Sequence, residues 1–168
     1  MDKKFFSIKD NRNFSCCFTG HRKIERDRLS PINTALEMEI EKMILKGIRY
    51  FYCGGAIGFD TLAEKAVLKL REKYPGIKLV IAIPHRGQGG SFGEEERQEY
   101  EQILSLADET VCLSERYYNG CMHARNRLLV DNSSHCICYL NGNTGGTAYT
   151  VRYAEKHALH IVNLAEHF

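Results

Sequence analysis

Apolar positions along this chain fall into two alternating patterns. Short continuous runs, "FSCCFTG", "IRYFYCGG", "IKLVIAIP", "ETVCLS", "HCICYLNG" and "HIVNL", read as strands. Between them, apolar residues recur at helical spacing. Ile32, Leu36, Ile40, Met43 and Ile44 mark a first helix, with Ser30 as its expected cap and Pro31 in its first turn. Leu62, Ala63, Ala66, Val67 and Leu70 mark a second. "GEEERQEYEQILSLA" is a third, its acids in the first turn where the helix dipole favours them. Helices around "MHARNRLLVDNS" and "GGTAYTVRYAEKHA" follow. Regular alternation predicts an α/β fold: a single Rossmann-like domain with a mainly parallel sheet of about six strands and helices on both faces. Continuous apolar strands fit burial on both sides of such a sheet.

The two kinds of connection differ. Helix-to-strand loops are plain, whereas strand-to-helix loops are rich in Gly, His, Arg and Asn: "TGHRK", "GGAIGFD", "PHRGQGGSFG", "SERYYNGCMH" and "NGNTGGT". A parallel sheet gathers all of the second kind at its carboxyl edge, where ligands bind at the point of strand-order reversal. The order 3-2-1-4-5 predicts a crevice between the strands ending at Gly20 and Ser114.

Composition narrows the class. The 168 residues suit one domain, and 43% apolar with 26% charged is an ordinary globular balance. Residues 14–168 are expected to form the domain, and residues 1–13 a flexible or loosely docked arm. A net charge of +2 argues against nucleic acid as a partner, leaving only a local basic patch for it. No apolar run reaches the roughly 18 residues of a membrane span, and the N-terminus has no secretory apolar region. The expected compartment is the cytoplasm. Of seven cysteines, Cys16, Cys17, Cys53, Cys112, Cys136 and Cys138 sit in strand-like stretches and are expected as buried, reduced thiols. Cys136 and Cys138 have C-x-C spacing, not that of a zinc pair, and neither they nor His85 and His123 call for a metal.

"YCGGAIGFDTLAEKA" joins the second strand to its helix. In the dinucleotide spacing G-x-G-x-x-G, Cys53 takes the first position and Gly55 and Gly58 the others. The acid expected about 20 residues on is not evident, which argues against a standard NAD site. Two readings of the glycines stand side by side: a cradle for phosphate, or a tight turn before a helix capped by Thr61 and Glu64 in a T-x-x-E box. "NGNTGGTAYT" is a second glycine loop before a helix, with Gly142, Gly145 and Gly146 allowing close approach and the N–H groups near Thr147 facing an anion. Arg22, Arg125 and Arg127 add positive charge at the same edge. His21 stands as a general acid or base, or as a capping or solvent-facing histidine. The 84–93 loop reads as a lid or as a surface loop. Tyr117 and Tyr118 are expected to pack under a loop rather than to stack on a base.

Taken together, "SCCFTGHR", "CGGAIGFDTLAEKAV", "AIPHRGQ", "RNRLLVDNSSHCICYLNGNTGGTAYTVRYAEK" and "IVNL" resemble the YpsA-type family, a bacterial group of the SLOG superfamily, over nearly all of the chain after Phe14. The resemblance implies a Rossmann-like fold and a role in binding nucleotides or nucleotide-derived ligands, with no required cofactor and with a homodimer possible. The glycine stretches, and "RNR", also look like those of DNA-processing protein A, which binds single-stranded DNA. "MHARNR" resembles the M-x-x-R-K motif of the Lonely Guy phosphoribohydrolases: Arg125 takes the arginine position and Asn126 replaces the lysine. The G-G-x-G-T-x-x-E motif of that family aligns with "NTGGTAYT"; Thr147 fits, but Thr150 stands where the catalytic glutamate belongs. Threonine cannot stabilise an oxocarbenium-like centre as a carboxylate does, so the resemblance does not carry that hydrolysis over. Asp60, Asp131 and Glu115 are the carboxylates that could substitute. The expected ligand site comprises Gly20, His21, Arg22, Gly54, Gly55, Gly58, Asp60, Arg125, Asn126, Gly142, Gly145, Gly146 and Thr147. The glycines and Thr147 would hold phosphate or ribose through backbone N–H groups, and Asp60 would orient a sugar hydroxyl or cap its helix. A phosphoribohydrolase-like enzyme and a single-stranded DNA-binding or protein-interaction module are the alternatives.

Overall fold

The computed structural model describes residues 11–168, so residues 1–10 of the expected arm lie outside the described residues. Six strands form one parallel sheet: β1 (Ser15–Gly20), β2 (Tyr50–Cys53), β3 (Lys78–Ile83), β4 (Glu109–Cys112), β5 (His135–Tyr139) and β6 (His160–Asn163). Five helices connect them: α1 (Arg26–Leu45), α2 (Phe59–Lys73), α3 (Glu94–Leu106), α4 (Cys121–Asp131) and α5 (Gly145–Lys156). The predicted fold class and element order are as observed.

Strand order corrects one expectation. It runs β4-β3-β2-β1-β5-β6, so β1 is flanked by β2 and β5 and not by β4. Gly20 pairs with Tyr139 at the carboxyl ends. The chain winds outward from β1 to β4, then returns to the other side of β1. The point of reversal, and with it the crevice, lies between β1 and β5; the strand ending near Ser114 is an edge strand. The edge position shows in the burial of β4. Only alternate residues of β4 are even partly covered, and Cys112 is exposed, contrary to its expected burial.

Strand residues alternate between two cores. Cys16, Phe18, Phe51, Leu79, Ile81 and Ile137 face α1, α2 and α3, where they meet Ile32, Leu36, Ile40, Ala63, Val67 and Ile103. Cys17, Tyr52, Val80, Ala82, Cys136 and Cys138 face α4 and α5, against Leu129, Val130, Val151 and Ala154. Helices therefore cover both faces, three before the reversal and two after it, as connections of one hand require.

Two helix starts differ from expectation. α1 begins at Arg26, with Glu25 at its N-cap, so Ser30 and Pro31 lie inside it. Pro31 forfeits one backbone bond, to the carbonyl of Asp27. Asp27 is exposed, so water can satisfy that carbonyl. α2 begins at Phe59 with Gly58 at the N-cap and no side-chain cap bond. The T-x-x-E box is not formed: Thr61 Oγ1 donates to the Ala56 carbonyl (3.3 Å), and Glu64 turns inward.

Candidate functional site at the β1–β5 crevice

Gly54, Gly55 and Gly58 make the sharp exit from β2. Gly55 and Gly58 have positive φ (68° and 79°), a backbone region costly for any residue with a Cβ. The turn is held by buried carboxylates. Asp60 Oδ2 accepts from the Ala56 N–H (3.1 Å), and Glu64 Oε1 accepts from the Gly55 N–H (3.0 Å). Carbonyls on the turn's other side meet Arg125 and Gln88. Arg125 Nη1 donates to the Gly54 carbonyl and reaches Gln88 Oε1 (3.3 Å), while Gln88 Nε2 donates to the carbonyls of Gly54 (3.2 Å) and Gly55 (3.3 Å). Arg125 is 4% exposed and Gln88 3%.

This cluster is electrostatically tense. Burial pushes the Glu64 carboxyl well above its ordinary range, and neighbouring Asp60 adds to the push. Burial also raises Asp60, outweighing the pull of the Arg125 cation. Below the ordinary carboxylate range both states of the chain are protonated and nothing is lost. Above it the unfolded chain ionises first, so stability falls as pH rises, at about 1.4 kcal/mol per pH unit while the folded group stays protonated. Glu64→Gln keeps an oxygen for the Gly55 N–H and removes the titrating group. Urea midpoints of the variant and the wild type should coincide near pH 4 and separate in the variant's favour toward pH 8; parallel profiles would show that Glu64 ionises freely in the fold.

In front of this cluster lies a cavity of about 250 Å³ at the β1–β5 crevice. Gly20, His21 and Arg22 line it from β1, Asp60 and Ala56 from the glycine turn, and Arg125, Asn126, Met122 and His123 from α4. Gly146 and Thr147 close it from the start of α5. Eight of the thirteen expected site residues thus come together. Gly54, Gly55 and Gly58 stand behind as support: a Cβ on Gly54 would lie 2.6 Å from the Arg125 guanidinium, and one on Gly58 would overlap the Arg22 carbonyl. Gly142 and Gly145 have positive φ (105° and 92°) but do not line the cavity.

The lining residues differ in what they can offer. His21 Nε2 accepts from the Asn141 N–H (2.8 Å), which ties the β1 and β5 loops across the gap. Asn126 Oδ1 accepts from Arg125 Nε (2.8 Å). Arg22 is exposed, and among the described residues it takes part in none of the ion pairs. Its guanidinium is therefore the available cation, whereas that of Arg125 is spent on main-chain carbonyls and Gln88. A side chain at Gly146 would meet no atom within 4 Å, so the α5 N-terminus opens onto free space. Thr150 is buried, and its hydroxyl donates to the Gly146 carbonyl one turn back (2.9 Å). Of the substitute carboxylates, Asp60 faces the cavity; Asp131 accepts from the Tyr153 hydroxyl (2.8 Å) and Glu115 pairs with Arg86 (2.7 Å), both elsewhere.

Gln88 was not among the expected residues. Its signal is faint: one amide among the glycines of "PHRGQGG". That amide fastens the 84–93 loop to the glycine turn, and no residue of the loop lines the cavity. Tyr117 meets the 84–93 loop edge-on at the His85 ring (centroids 5.5 Å apart), yet it and Tyr118 stay 64% and 46% exposed and are not buried beneath a loop.

Comparison with known proteins adds to this geometry. A family model for YpsA, described as the YspA SLOG family, matches residues 16–164. The chain is 30% identical over 130 residues to the uncharacterized SPbeta prophage-derived protein YoqJ of Bacillus subtilis, covering 70% of this chain and 76% of the relative. A UPF0398 protein of Halalkalibacterium halodurans is 30% identical over 128 residues, covering 74% and 68%. The UPF0398 protein YpsA of Bacillus subtilis is 25% identical, covering 74% and 71%. Among solved structures, DNA processing protein A from Helicobacter pylori, described for its single-stranded DNA binding mode, superposes with a TM-score of 0.60 at 20% identity over 93% of this chain and 66% of that one. DNA processing protein A from Streptococcus pneumoniae gives 0.53 at 13% identity, over 95% and 60%. At these identities the likeness is one of fold.

Proposed function

Because the chain belongs to the YspA SLOG family, we propose that its β1–β5 crevice binds a nucleotide or nucleotide-derived ligand, as a sensor or regulatory protein rather than a hydrolase. One observation carries the reading: the open N-terminus of α5 at Gly146 and Thr147, the unpaired Arg22 and the buried carboxylate of Asp60 all border one cavity. Backbone N–H groups and a guanidinium suit phosphate, and a carboxylate suits a ribose hydroxyl. Thr150 offers no carboxylate for glycosidic chemistry, which favours binding over turnover.

A second reading has its own observation. One solved neighbour is described for its single-stranded DNA binding mode. The near-neutral net charge that argues against nucleic acid does not exclude it, because cations gather locally beside the crevice. Calorimetric titration with mononucleotides, and with a short single-stranded oligonucleotide, separates the two. The first reading expects a mononucleotide hit that Gly146→Glu weakens about thirtyfold, because the new carboxylate repels phosphate at the helix start. Undiminished binding by the variant would mean the site is misplaced. Binding of the oligonucleotide alone would favour the second reading.

A further inference from the structure

A second cavity, of about 610 Å³, opens beside the first, and His21 and Arg22 line both. Resting on the nucleotide reading above, we propose that the ligand is a nucleoside polyphosphate, whose phosphate chain passes His21 and Arg22 into this larger cavity.

Size is the first argument. Small-molecule sites span roughly 300–1,000 Å³. At about 250 Å³ the first cavity falls short of that range by itself, and with its neighbour the crevice lies within it. A ligand too large for the first cavity has room to continue past the shared rim at His21 and Arg22.

Charge is the second. Arg22, Lys23 and Arg28 line the larger cavity, with Glu25 as the opposing acid and Asp27 nearby in the first turn of α1. None of the three cations takes part in an ion pair among the described residues, although six other Lys or Arg residues do. Arg28 is instead held over the Phe168 ring, 5.8 Å from its centroid. Three cations against the single acid Glu25 leave the lining net positive, and a polyanion relieves the repulsion among them.

The backbone is the third. The twenty-residue helix α1 starts here, and its N-cap residue, Glu25, makes no side-chain cap bond. The Arg28 N–H donates to the Glu25 carbonyl (2.9 Å), which leaves the N–H groups of Arg26 and Asp27 ahead of it for an outside acceptor, and the helix dipole favours negative charge there. The smaller cavity, with Asp60 and the start of α5, would then hold ribose and the first phosphate, and the larger one the rest of the chain.

The test is a phosphate-number series. Mono-, di- and triphosphates of the four common nucleosides are titrated calorimetrically in EDTA at constant ionic strength, with wild type and with Lys23→Gln/Arg28→Gln. For the best-bound nucleoside, affinity should rise about tenfold from mono- to triphosphate in the wild type. The double variant should bind the monophosphate as wild type does and show a clearly smaller rise, since Arg22 and the start of α1 remain. Equal affinities across the series in the wild type, or an undiminished rise in the variant, would overturn the inference and leave the nucleotide reading standing. Absence of binding by every nucleotide would remove both. Tighter binding of a 5′-phosphorylated trinucleotide than of any triphosphate would assign the cavity to a phosphodiester backbone and overturn the choice of ligand.

Discussion

Arg125→Met is expected to cost about 3–5 kcal/mol of folding stability, a fall in Tm of roughly 8–16 °C for a chain of this length. Methionine replaces most of the volume, so packing contributes little. The loss comes from what the guanidinium holds. Its Nη1 binds the Gly54 carbonyl and Gln88, its Nε binds Asn126, and its charge lowers the cost of burying Asp60 and Glu64. Without it both carboxyls rise further, so protonated forms dominate the fold over a wider range and stability falls more steeply with pH. Near pH 4 the unfolded chain is itself largely protonated, and the gap between variant and wild type should narrow to the lost hydrogen bonds. A gap that is constant from pH 4 to pH 8 would mean that Arg125 acts through packing alone. Lysine should not rescue the variant, since a single ammonium cannot serve Gly54, Gln88 and Asn126 from one plane. A change in Tm below 2 °C would remove Arg125 from the core of the site.

Gly58→Ala should cost about 3 kcal/mol or more. Gly58 has φ 79° and ψ −120°, a combination essentially confined to glycine. Backbone freedom is only half of the reason. A Cβ there would overlap the Arg22 carbonyl oxygen and lie 2.6 Å from its carbon and 2.7 Å from the His21 oxygen. Those are main-chain atoms of the loop that carries Arg22 to the crevice, and that loop is fixed further by the Phe59 N–H on the His21 carbonyl (3.1 Å). To accept the methyl group, the glycine turn and the β1 loop must part. The variant should therefore melt earlier and also lose whatever ligand the wild type binds. A stable Gly58→Ala protein with wild-type Tm would show that the two loops are not in contact.

Several parts of the site were legible in the chain. Two glycine loops after strands were bound to share an edge, because every strand-to-helix loop of a parallel sheet does. "GHR" placed Arg22 at the end of the central strand, and "NTGG" placed an open helix start opposite. Other parts were hidden. Arg125 reads as one arginine among several on an amphipathic helix, and nothing local says that its guanidinium will be swallowed by the β2 turn. Glu64 reads as a capping glutamate because Thr61 sits three residues before it. It becomes a buried carboxylate because α2 already starts at Phe59, two residues before Thr61, and position 64 faces the glycine turn, where it takes the Gly55 N–H. Gln88 is invisible for the same reason: its partners are the carbonyls of Gly54 and Gly55, more than thirty residues away.

The division is physical. Periodicity and turn chemistry are local, so the chain by itself determined six strands, five helices, a parallel sheet and the edge at which a ligand would lie. Neighbour relations between strands are not local. They depend on which pairing buries both faces best, and here β4, with its alternately exposed residues, is left at the edge while β5 returns to pair with β1. That pairing alone decided which two loops face each other across the crevice, and so brought His21 to Asn141 and Arg22 toward the start of α5.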